Sequence, residues 1–519
     1  MKPRDRDARK RCVTADLSQG GMRVDDSAEV ESAEAALDDR DGHRLDGALT
    51  RVTTPEPVSQ TRGHADGTPA LGMRLGIFGT GYAGLVTSVC LAQLGHVVTA
   101  VDKDAETVAA LSQGMPTIRE PGLPELLAAN LDAGRLHFTT RPDEAICASD
   151  IIFVCVGTPP RNDGRADLAQ VEEVARTIAP LLDGYKLIVE KSTVPARTAR
   201  WIDWTIRRLA RPEHEFEVAS NPEFLREGTA VSDFLQPDRI VIGADSARAR
   251  SLLLDLYKPY FDCPIVLTSV TTAEFIKQTA NAFLAAKVSF INVVSDLCEA
   301  LGVDVTAVAR GVGLDHRIGG DFVNAGLGFG GSCLPKDLSS LITVAEDHGI
   351  DIDLLKEVER INNARVERLL AKIERALWVL RHKVIAVLGA SFKPDTDDIR
   401  GAPSLTVIPW LHAAGANLRV YDPAALPKLK KLFRPDDRLT YAATALEAAR
   451  DANALVILTD WDEFRMLDLK LVRSLMRTPI IVDGRNMFAP AEMRAAGFEY
   501  YSLGRGDVTL GAERHRAWT

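Results

Sequence analysis

A glycine-rich turn between a strand-like and a helix-like segment is the strongest constraint that this sequence places on its fold. The apolar segment RLGIF precedes GTGYAG, in which Gly79, Gly81 and Gly84 have the G-x-G-x-x-G spacing. The helix-like LVTSVCLAQLG and the strand-like HVVTAVD follow, and the second strand ends at Asp102. Such glycines let a pyrophosphate approach the backbone, and such an acid binds the ribose 2′-hydroxyl. The pattern therefore predicts a dinucleotide-binding βαβ unit that uses NAD, because a carboxylate repels the extra phosphate of NADP.

A second α/β unit begins near residue 383. The segments KVIAVLGASF, SLTVIPWLHAAG and NLRVYDP indicate strand and turn, helix, and strand, but Gly389 alone replaces the glycine fingerprint. Before this unit, TTAEFIKQTANAFLAAKVSFINVVSDLCEAL runs for about thirty residues with helical periodicity and no breaker. It serves either as an oligomer interface or as a buried core helix. We therefore expect an α/β protein with two Rossmann-like doubly wound domains joined by a long central helix.

Composition narrows the class of protein. The 519-residue chain is 46% hydrophobic, enough for several globular cores, and its net charge of −10 argues against nucleic-acid binding. We find no apolar run of the length that a membrane-spanning helix needs, so no membrane partner is expected. The seven cysteines include no CxxC pair, which argues against a disulfide framework or a metal site. Scattered cysteines of this kind are typical of a reducing cytoplasm, which is the expected location.

Three pairs of reactive side chains are each separated by four residues, a spacing that places both members on one face of a helix. The pairs are Glu223 with Glu227, Lys277 with Asn281, and Cys333 with Asp337. Asn221 and Pro222 suit a helix start, so Glu223 and Glu227 are expected on the first turns of a helix. Each pair alone also fits a solvated helix face. Their joint presence beside a cofactor fingerprint favours a reactive site.

Cys333 lies in the segment GFGGSCLPKD, between glycines and a Pro-Lys-Asp sequence. Pro335 suits the first turn of a helix, which predicts that Cys333 lies just before a helix N-terminus. That helix end, together with Lys336, is expected to make the thiolate easier to form. A small buried cysteine in a glycine-rich turn is the alternative interpretation.

Nine motifs occur in one order between Met73 and about residue 510: GTGYAGL, VGTP, STVP, NPEFLREG, GFGGSCLPKD, FKPDTDDIRGAPS, YDP, TDWDEF and DGRN. This ordered set resembles the UDP-glucose/GDP-mannose dehydrogenase family. The resemblance implies an NAD-dependent four-electron oxidation, with UDP-glucose as the expected substrate and UDP-glucuronate as the product. A cysteine would trap the intermediate aldehyde as a thiohemiacetal, and a second oxidation would give a thioester that water hydrolyses.

The resemblance also implies roles for individual residues. The implied catalytic residues are Cys333, Lys277, Asp337, Asn281, Glu223 and Thr193. The implied NAD-binding residues are Gly79, Gly81, Tyr82, Gly84, Asp102, Thr158, Thr193, Glu227 and Arg400. The implied substrate-binding residues are Glu223, Leu225, Lys277, Asn281, Arg317, Phe329, Gly330, Lys393 and Arg485. Arg317 would reach the substrate of a partner subunit, which implies a homodimer.

The domain boundaries follow from the same resemblance and from composition. Residues 1–72 are rich in charge, Gly, Ser and Thr and poor in aromatics, which predicts a disordered tail or a start assigned upstream of the true one. The expected domains are 73–270 for NAD binding, 271–378 for a central helical dimerisation domain, and 379–519 for a Rossmann-like domain that binds the UDP-sugar.

Two other functions are compatible with these residues. A sibling enzyme of the family could use GDP-mannose or a UDP-N-acetylhexosamine, because pattern alone does not resolve the loops that recognise base and sugar. A non-catalytic nucleotide sensor could share the fold. A sensor needs no thiol, so the joint presence of Cys333, Lys277, Asn281 and Asp337 favours an enzyme.

Overall fold

The computed structural model describes residues 72–510, and the predicted disorder of residues 1–72 falls, except for the last residue, outside that range. The first sheet contains eight strands in the order β3-β2-β1-β4-β5-β6-β7-β8, parallel except where β6 meets β7. Its strands are β1 (Arg74–Phe78), β2 (Val97–Val101), β3 (Leu136–Thr139), β4 (Ile151–Val154), β5 (Lys186–Glu190), β6 (Phe216–Ser220), β7 (Ile240–Gly243) and β8 (Ile265–Thr268).

Helices cover both faces of this sheet, so its central strands are buried on both sides. The sequences IIFV of β4 and KLIVE of β5 are buried at every position, as expected for parallel strands between helices. The helices are α1 (Tyr82–Gln93), α2 (Ala105–Ser112), α3 (Leu123–Asp132), α4 (Pro142–Ala148), α5 (Ala169–Ile178), α6 (Thr198–Leu209), α7 (Ala230–Leu235) and α8 (Ala247–Tyr257).

The predicted long helix is confirmed. Helix α9 (Val270–Leu301) begins where the Oγ atom of Ser269 accepts a hydrogen bond from the amide of Thr272, and it ends at Gly302, whose φ is +69°. The other helices of the central region are α10 (Val305–Gly313), α11 (Leu334–Asp347) and α12 (Asp353–Leu377). Both α11 and α12 pack against α9, which leaves part of the surface of α9 uncovered.

The second sheet confirms the prediction of a second Rossmann-like unit. Its six strands are all parallel, in the order β11-β10-β9-β12-β13-β14. They are β9 (Val384–Leu388), β10 (Asn417–Tyr421), β11 (Leu439–Tyr441), β12 (Ala454–Ile457), β13 (Ile480–Asp483) and β14 (Glu499–Ser502). The helices around them are α13 (Ser404–Ala413), α14 (Leu426–Leu432), α15 (Ala445–Ala449), α16 (Asp462–Arg465), α17 (Leu469–Leu475) and α18 (Pro490–Ala495).

The glycine fingerprint takes the conformation that its spacing predicts. Gly79 follows β1 with φ of +94°, and a Cβ atom on Gly84 would lie 1.9 Å from the carbonyl oxygen of Gly79. Helix α1 can therefore approach the turn only because Gly84 has no side chain. A Cβ on Gly81 would meet no atom within 4 Å, so the space in front of the turn is open to a ligand.

Candidate active site

A cavity of about 740 Å³ lies where the first sheet, helix α9 and the second Rossmann-like unit meet. Its walls come from the end of β5, the segment 221–227, one face of α9, the glycine-rich segment before α11, and the loop after β9. The predicted residues in its lining are Glu223, Leu225, Glu227, Lys277, Asn281, Gly330, Cys333 and Lys393. The structure thus brings together reactive groups that are up to 170 positions apart in the sequence (Lys393 and Glu223).

Cys333 lies at the N-cap position of α11, with Pro335 in the first turn, as predicted. Its side chain is exposed to the cavity. The expectation of an easily formed thiolate is wrong, because removal from bulk water and the nearby carboxylate of Glu223 raise the pKa of the thiol. Lys336 makes no hydrogen bond to the sulfur; its Nζ atom instead contacts the carboxylate of Asp337 at 2.5 Å. The thiol is therefore expected to be neutral at neutral pH.

Lys277 is a buried cation on the cavity side of α9, only 4% exposed. Its Nζ atom lies 3.2 Å from Oε1 of Glu223 and 5.3 Å from the centre of the Phe224 ring. Burial by itself would lower the pKa of Lys277, but Glu223 and the other negative groups around it hold that pKa above its ordinary value. The site therefore contains a fixed positive charge beside the thiol, suited to stabilising a developing oxyanion.

Asn281 and Asp337 form a hydrogen-bonded pair next to this cation. Asn281 lies one helical turn after Lys277 on α9, and its Nδ2 donates to Oδ2 of Asp337 at 2.6 Å. Asp337 lies in the first turn of α11, is 1% exposed, and accepts on its other oxygen from Lys336 at 2.5 Å. The carboxylate is thus fixed on both oxygens. The predicted sharing of one helix face by Lys277 and Asn281 is consistent with the burial of both against the cavity.

The predicted helix over Glu223 and Glu227 is wrong. Residues 221–226 form an irregular segment, and α7 begins only at Ala230. The backbone amides of this segment donate to side chains and not to carbonyls one helical turn earlier. The amide of Leu225 donates to Glu223, and the amide of Gly228 donates to Glu120 and to the hydroxyl of Tyr82. Because side-chain acceptors take these amides, an Asn-Pro pair alone does not specify a helix.

The predicted NAD-binding residues lie along the carboxyl ends of the first sheet. The carboxylate of Asp102 accepts from the amide of Thr80 at 2.9 Å and from its hydroxyl at 2.7 Å. Thr158, after β4, donates to the carbonyl of Thr193, after β5, at 2.8 Å. Lys336 lies within 3.3 Å of the Thr158 hydroxyl, so this edge and the Cys333 cavity are joined through one lysine.

The acid that ends the corresponding strand of the second unit has a different environment. Asp422 is 3% exposed, and its carboxylate accepts from the amides of Ala390 and Ser391, from the Ser391 hydroxyl and from the indole of Trp461. Both acids accept hydrogen bonds from the protein, but Asp422 is buried whereas Asp102 is partly exposed. The second unit thus offers no free acid for a ribose hydroxyl at that position.

Arg400 lies at the junction between the two units. Its guanidinium contacts Asp398 at 2.5 Å and Glu227 at 3.5 Å, and its carbonyl accepts from the amide of Gly331 at 2.9 Å. Burial and the nearby carboxylate of Asp398 raise the pKa of Glu227 to about 7, although Arg400 and Lys393 act in the opposite direction. The predicted cofactor residues Arg400 and Glu227 are therefore in contact with each other here.

Glu227 gives a testable dependence of stability on pH. Since its pKa is about 7 in the folded protein and ordinary in the unfolded chain, the unfolded state loses its proton first as pH rises. The wild-type free energy of unfolding should therefore fall between pH 4.5 and 7. Glu227→Gln should remove this fall, so that the change in the free energy of unfolding up to pH 8 differs between wild type and variant by on the order of 2 kcal/mol. Urea unfolding at pH 5 and 8 measures it, with exposed Glu213→Gln as control. If Glu227→Gln and Glu213→Gln changed the free energy of unfolding by equal amounts at both pH values, the raised pKa would not belong to Glu227.

The remaining predicted substrate residues occupy three different environments. The guanidinium of Arg485 donates hydrogen bonds to the carbonyls of Leu458, Gly328 and Phe392, so it joins three loops. The backbone of Phe329 is held next to the cavity, whereas Arg317 is exposed, is paired with Asp315 and does not contribute to the lining. The predicted role of Arg317 toward a partner subunit stays a prediction.

Two buried charged residues lie at the end of β5, and the sequence reasoning missed both; one of them, Lys191, belongs to the site. Lys191 lines the cavity and donates to Asn221 at 3.0 Å, and burial lowers its pKa. Burial and then Glu274 raise the pKa of Glu190 well above its ordinary value, and its Oε1 has no hydrogen-bond partner among residues 72–510. The signal was present in KLIVEK, because two charges directly after an apolar strand mark the ligand edge of a parallel sheet.

Two largely parallel sheets, a complete glycine fingerprint with its acid, and a cysteine in a cavity beside that edge define a two-unit dinucleotide-binding α/β protein. Three family models of the UDP-glucose/GDP-mannose dehydrogenase family match the chain in order. They are the NAD binding domain over residues 73–261, the central domain over 271–364 and the UDP binding domain over 386–490. The chain belongs to this family, and its cofactor is NAD.

Individual relatives agree with the family assignment. The UDP-glucose 6-dehydrogenase of Rhizobium meliloti is 45% identical over 441 residues, covering 84% of this chain and 100% of the relative. The UDP-glucose 6-dehydrogenase TuaD of Bacillus subtilis is 42% identical, covering 84% and 94%. Among solved structures, a UDP-glucose dehydrogenase from Pyrobaculum islandicum is 39% identical with a TM-score of 0.78, covering 84% of this chain and 98% of the other. No helix among the described residues is long and apolar enough to cross a membrane.

Proposed function

We propose that this protein oxidises UDP-glucose to UDP-glucuronate and reduces two NAD for each sugar. The observation that carries the proposal is that the Cys333 thiol shares one cavity with buried Lys277 and with Asn281, whose side-chain amide holds the carboxylate of Asp337. A primary alcohol must lose two hydrides and gain one oxygen to become a carboxylate. A group that holds the intermediate covalently prevents its loss between the two oxidations. The names of the relatives support UDP-glucose as the sugar nucleotide.

The first oxidation removes a hydride from the sugar carbon and a proton from its hydroxyl. NAD, when bound, accepts the hydride in each of the two oxidations. We assign the proton to Asp337, through a water near Thr193, because this carboxylate is fixed beside the cavity by Asn281 and Lys336. The ammonium of Lys277 stabilises the oxygen as negative charge develops on it.

Cys333 then adds to the aldehyde: the carbon–sulfur bond forms, and the thiol proton passes to the sugar oxygen. The raised pKa of the thiol fits this order, since a neutral thiol brings its own proton to the adduct. Loss of the second hydride and of the hydroxyl proton gives the thioester. Water activated by Glu223 adds to it, and cleavage of the carbon–sulfur bond releases the acid and regenerates the thiol.

The substrate is tested by measuring NADH formed with UDP-glucose, GDP-mannose and UDP-N-acetylmannosamine. We expect two NADH for each UDP-glucose and at least about 100-fold lower kcat/KM for the other two, because a site built around one set of hydroxyls leaves polar groups unpaired with another. Activity with only one of the other sugars would keep the chemistry and change the substrate. No NADH from any of them would reject the proposal in favour of a nucleotide sensor.

We also propose that the protein is a homodimer formed through α9. Apolar side chains project from one face of that helix at intervals of seven and four residues, and each is 59–68% exposed. They are Phe283, Phe290, Leu297 and Leu301. Large apolar residues in such a stripe mark an interface. Sedimentation should give a dimer for the wild type and a monomer for Phe290→Glu. A wild-type monomer would reject both the dimer and the role of Arg317 across it.

The proposed domain boundaries are 73–270, 271–378 and 379–519. The last boundary falls between the end of α12 and the start of β9, where Trp378 is 90% exposed. Exposed connections are the preferred sites of proteolysis. Within residues 73–510, limited trypsin digestion should cut first at Arg381 or Lys383, and a first cut inside either sheet would contradict this division.

A cytoplasmic location is proposed on the chemistry of the cysteines. The six cysteines among residues 72–510 are all free, and the proposed mechanism requires a reduced thiol at Cys333. Fractionation of the source cells with an antibody to the protein would test this. Recovery outside the cytoplasmic fraction would contradict it.

A further inference from the structure

The glycine-rich segment before Cys333 has almost no side chains with which to hold itself in place. Four of the six residues 326–331 are glycine, and Gly328 and Gly331 have φ of +81° and +82°. Ordering glycines costs more conformational entropy than ordering any other residue. This segment nevertheless forms a wall of the cavity through Gly330 and Gly331 and leads directly to the thiol. Its conformation must therefore be fixed by groups from elsewhere.

Side chains of α9 and α12 supply those groups. Asn292 accepts from the amide of Gly326 at 2.9 Å, and Arg365 donates to the Gly326 carbonyl at 3.0 Å. The side-chain amide of Asn362 accepts from the amide of Phe329 at 2.8 Å and donates to its carbonyl at 3.0 Å. Asn362 thus satisfies both backbone groups of Phe329, as a residue on a neighbouring strand would.

The backbone of the glycine-rich segment also packs closely against the Asn362 side chain. A Cβ atom on Gly328 would lie 2.2 Å from Oδ1 of Asn362, so only glycine lets the backbone come this near. On its other side the segment is bound by the second unit, where the amide of Gly331 donates to the carbonyl of Arg400 at 2.9 Å. The segment is therefore held between α12 and the second unit, four residues before the thiol.

Asn362 is better suited than Arg365 to a positioning role that can be measured. Arg365 is 1% exposed and paired with Asp296 at 2.6 Å, so its loss would leave a buried network unsatisfied and disturb the whole central region. Asn362 is half-buried, and its two side-chain hydrogen bonds both go to Phe329. Its replacement removes these two bonds.

We propose that Asn362 is a positioning residue that fixes the peptide of Phe329, and through it the cavity wall and the thiol of Cys333. Asn362 touches no reacting atom. The inference rests on the proposed function for its kinetic readout. Loss of the two bonds should lower kcat/KM for UDP-glucose by about 10- to 30-fold, mostly through KM, and change KM for NAD by less than about twofold. Among residues 72–510, the side chain of Asn362 makes no hydrogen bond to a predicted NAD-binding residue.

The experiment compares Asn362→Leu, which keeps a branched side chain without polar atoms, and Asn362→Ala, which suits a helix, with Asn363→Leu. Asn363 is the adjacent, exposed residue of the same helix, so its variant controls for effects on α12. The second readout is the rate at which iodoacetamide alkylates Cys333, followed by peptide mass spectrometry because Cys147 is also exposed. We expect this rate to change at least threefold in both Asn362 variants and not in Asn363→Leu.

The two readouts separate the inference from the function on which it rests. If the wild type forms no NADH, the proposed function fails, and alkylation together with hydrogen exchange over residues 326–331 still decides the role of Asn362. Faster exchange there in both Asn362 variants, with Asn363→Leu unchanged, would support it. Equal kinetics, alkylation and exchange in all three variants would overturn it. A lower melting temperature with unchanged KM and alkylation would also overturn it, since a purely structural role predicts that result.

Discussion

Cys333→Ser is expected to reduce NADH formation from UDP-glucose by at least about 10³-fold and to prevent completion of the second oxidation. A serine hydroxyl fits the space of the thiol, but it is a much weaker nucleophile toward the aldehyde. The adduct that holds the sugar between the two oxidations then does not form. Any residual turnover should give fewer than two NADH per sugar. Steady-state absorbance of NADH and chromatographic analysis of the products measure both quantities.

The control for this variant is Cys147→Ser, since Cys147 is the other exposed cysteine among the described residues and lies on α4, away from the cavity. It should retain wild-type kinetics. Intact-protein mass spectrometry of the wild type during turnover should show a sugar-nucleotide adduct that is absent from Cys333→Ser. Wild-type rates and two NADH per sugar in Cys333→Ser would reject covalent catalysis at this residue.

Features that depend on local pattern could be predicted from the sequence. The turn at Gly79 and Gly84 requires particular residue types at a fixed spacing, and its confirmation follows from that steric requirement. Helix α9 has continuous periodicity, a capping serine and a terminal glycine, so its propensity and packing agree. The place of Cys333 before α11 follows from Pro335. Each of these signals lies within a few residues of the feature that it specifies.

Features that depend on distant groups could not be predicted. The segment 221–229 has a helix-start signal, but Glu120 and Tyr82, more than one hundred residues earlier, bind the amide of Gly228. The pKa of Cys333 is raised by removal of the thiol from bulk water into the cavity and by Glu223, whereas sequence proximity to Lys336 wrongly suggested a lowered pKa. Charge that is close along the chain is therefore a weak guide to charge that is close in space.

The environment of Lys277 predicts a large catalytic effect with a small structural one. Lys277→Met keeps the length and apolar stem of the side chain but removes the charge, and kcat should fall by about 10²- to 10³-fold, the effect of losing one preorganised oxyanion partner. The raised pKa keeps this lysine protonated well above neutral pH, so no rise of pH between 6 and 9 should reproduce the loss in the wild type. Measurement of kcat for the wild type and the variant at pH 6 and pH 9 tests both expectations. Lys258→Met, at an exposed position after α8 and outside the cavity lining, should leave kcat unchanged.

Glu223 decides how the result for Lys277 is interpreted. The two side chains are 3.2 Å apart and both are largely buried, so removing the lysine also leaves a carboxylate without its cation. If the loss of kcat came only from that unpaired carboxylate, Glu223→Gln combined with Lys277→Met would restore activity toward the level of Glu223→Gln alone. If Lys277 stabilises the oxyanion directly, the double variant should remain at least about 100-fold below Glu223→Gln. The double-mutant cycle therefore distinguishes a lysine that balances a buried charge from one that acts on the reacting oxygen, and the position of its Nζ atom in the same cavity as the Cys333 thiol favours the second.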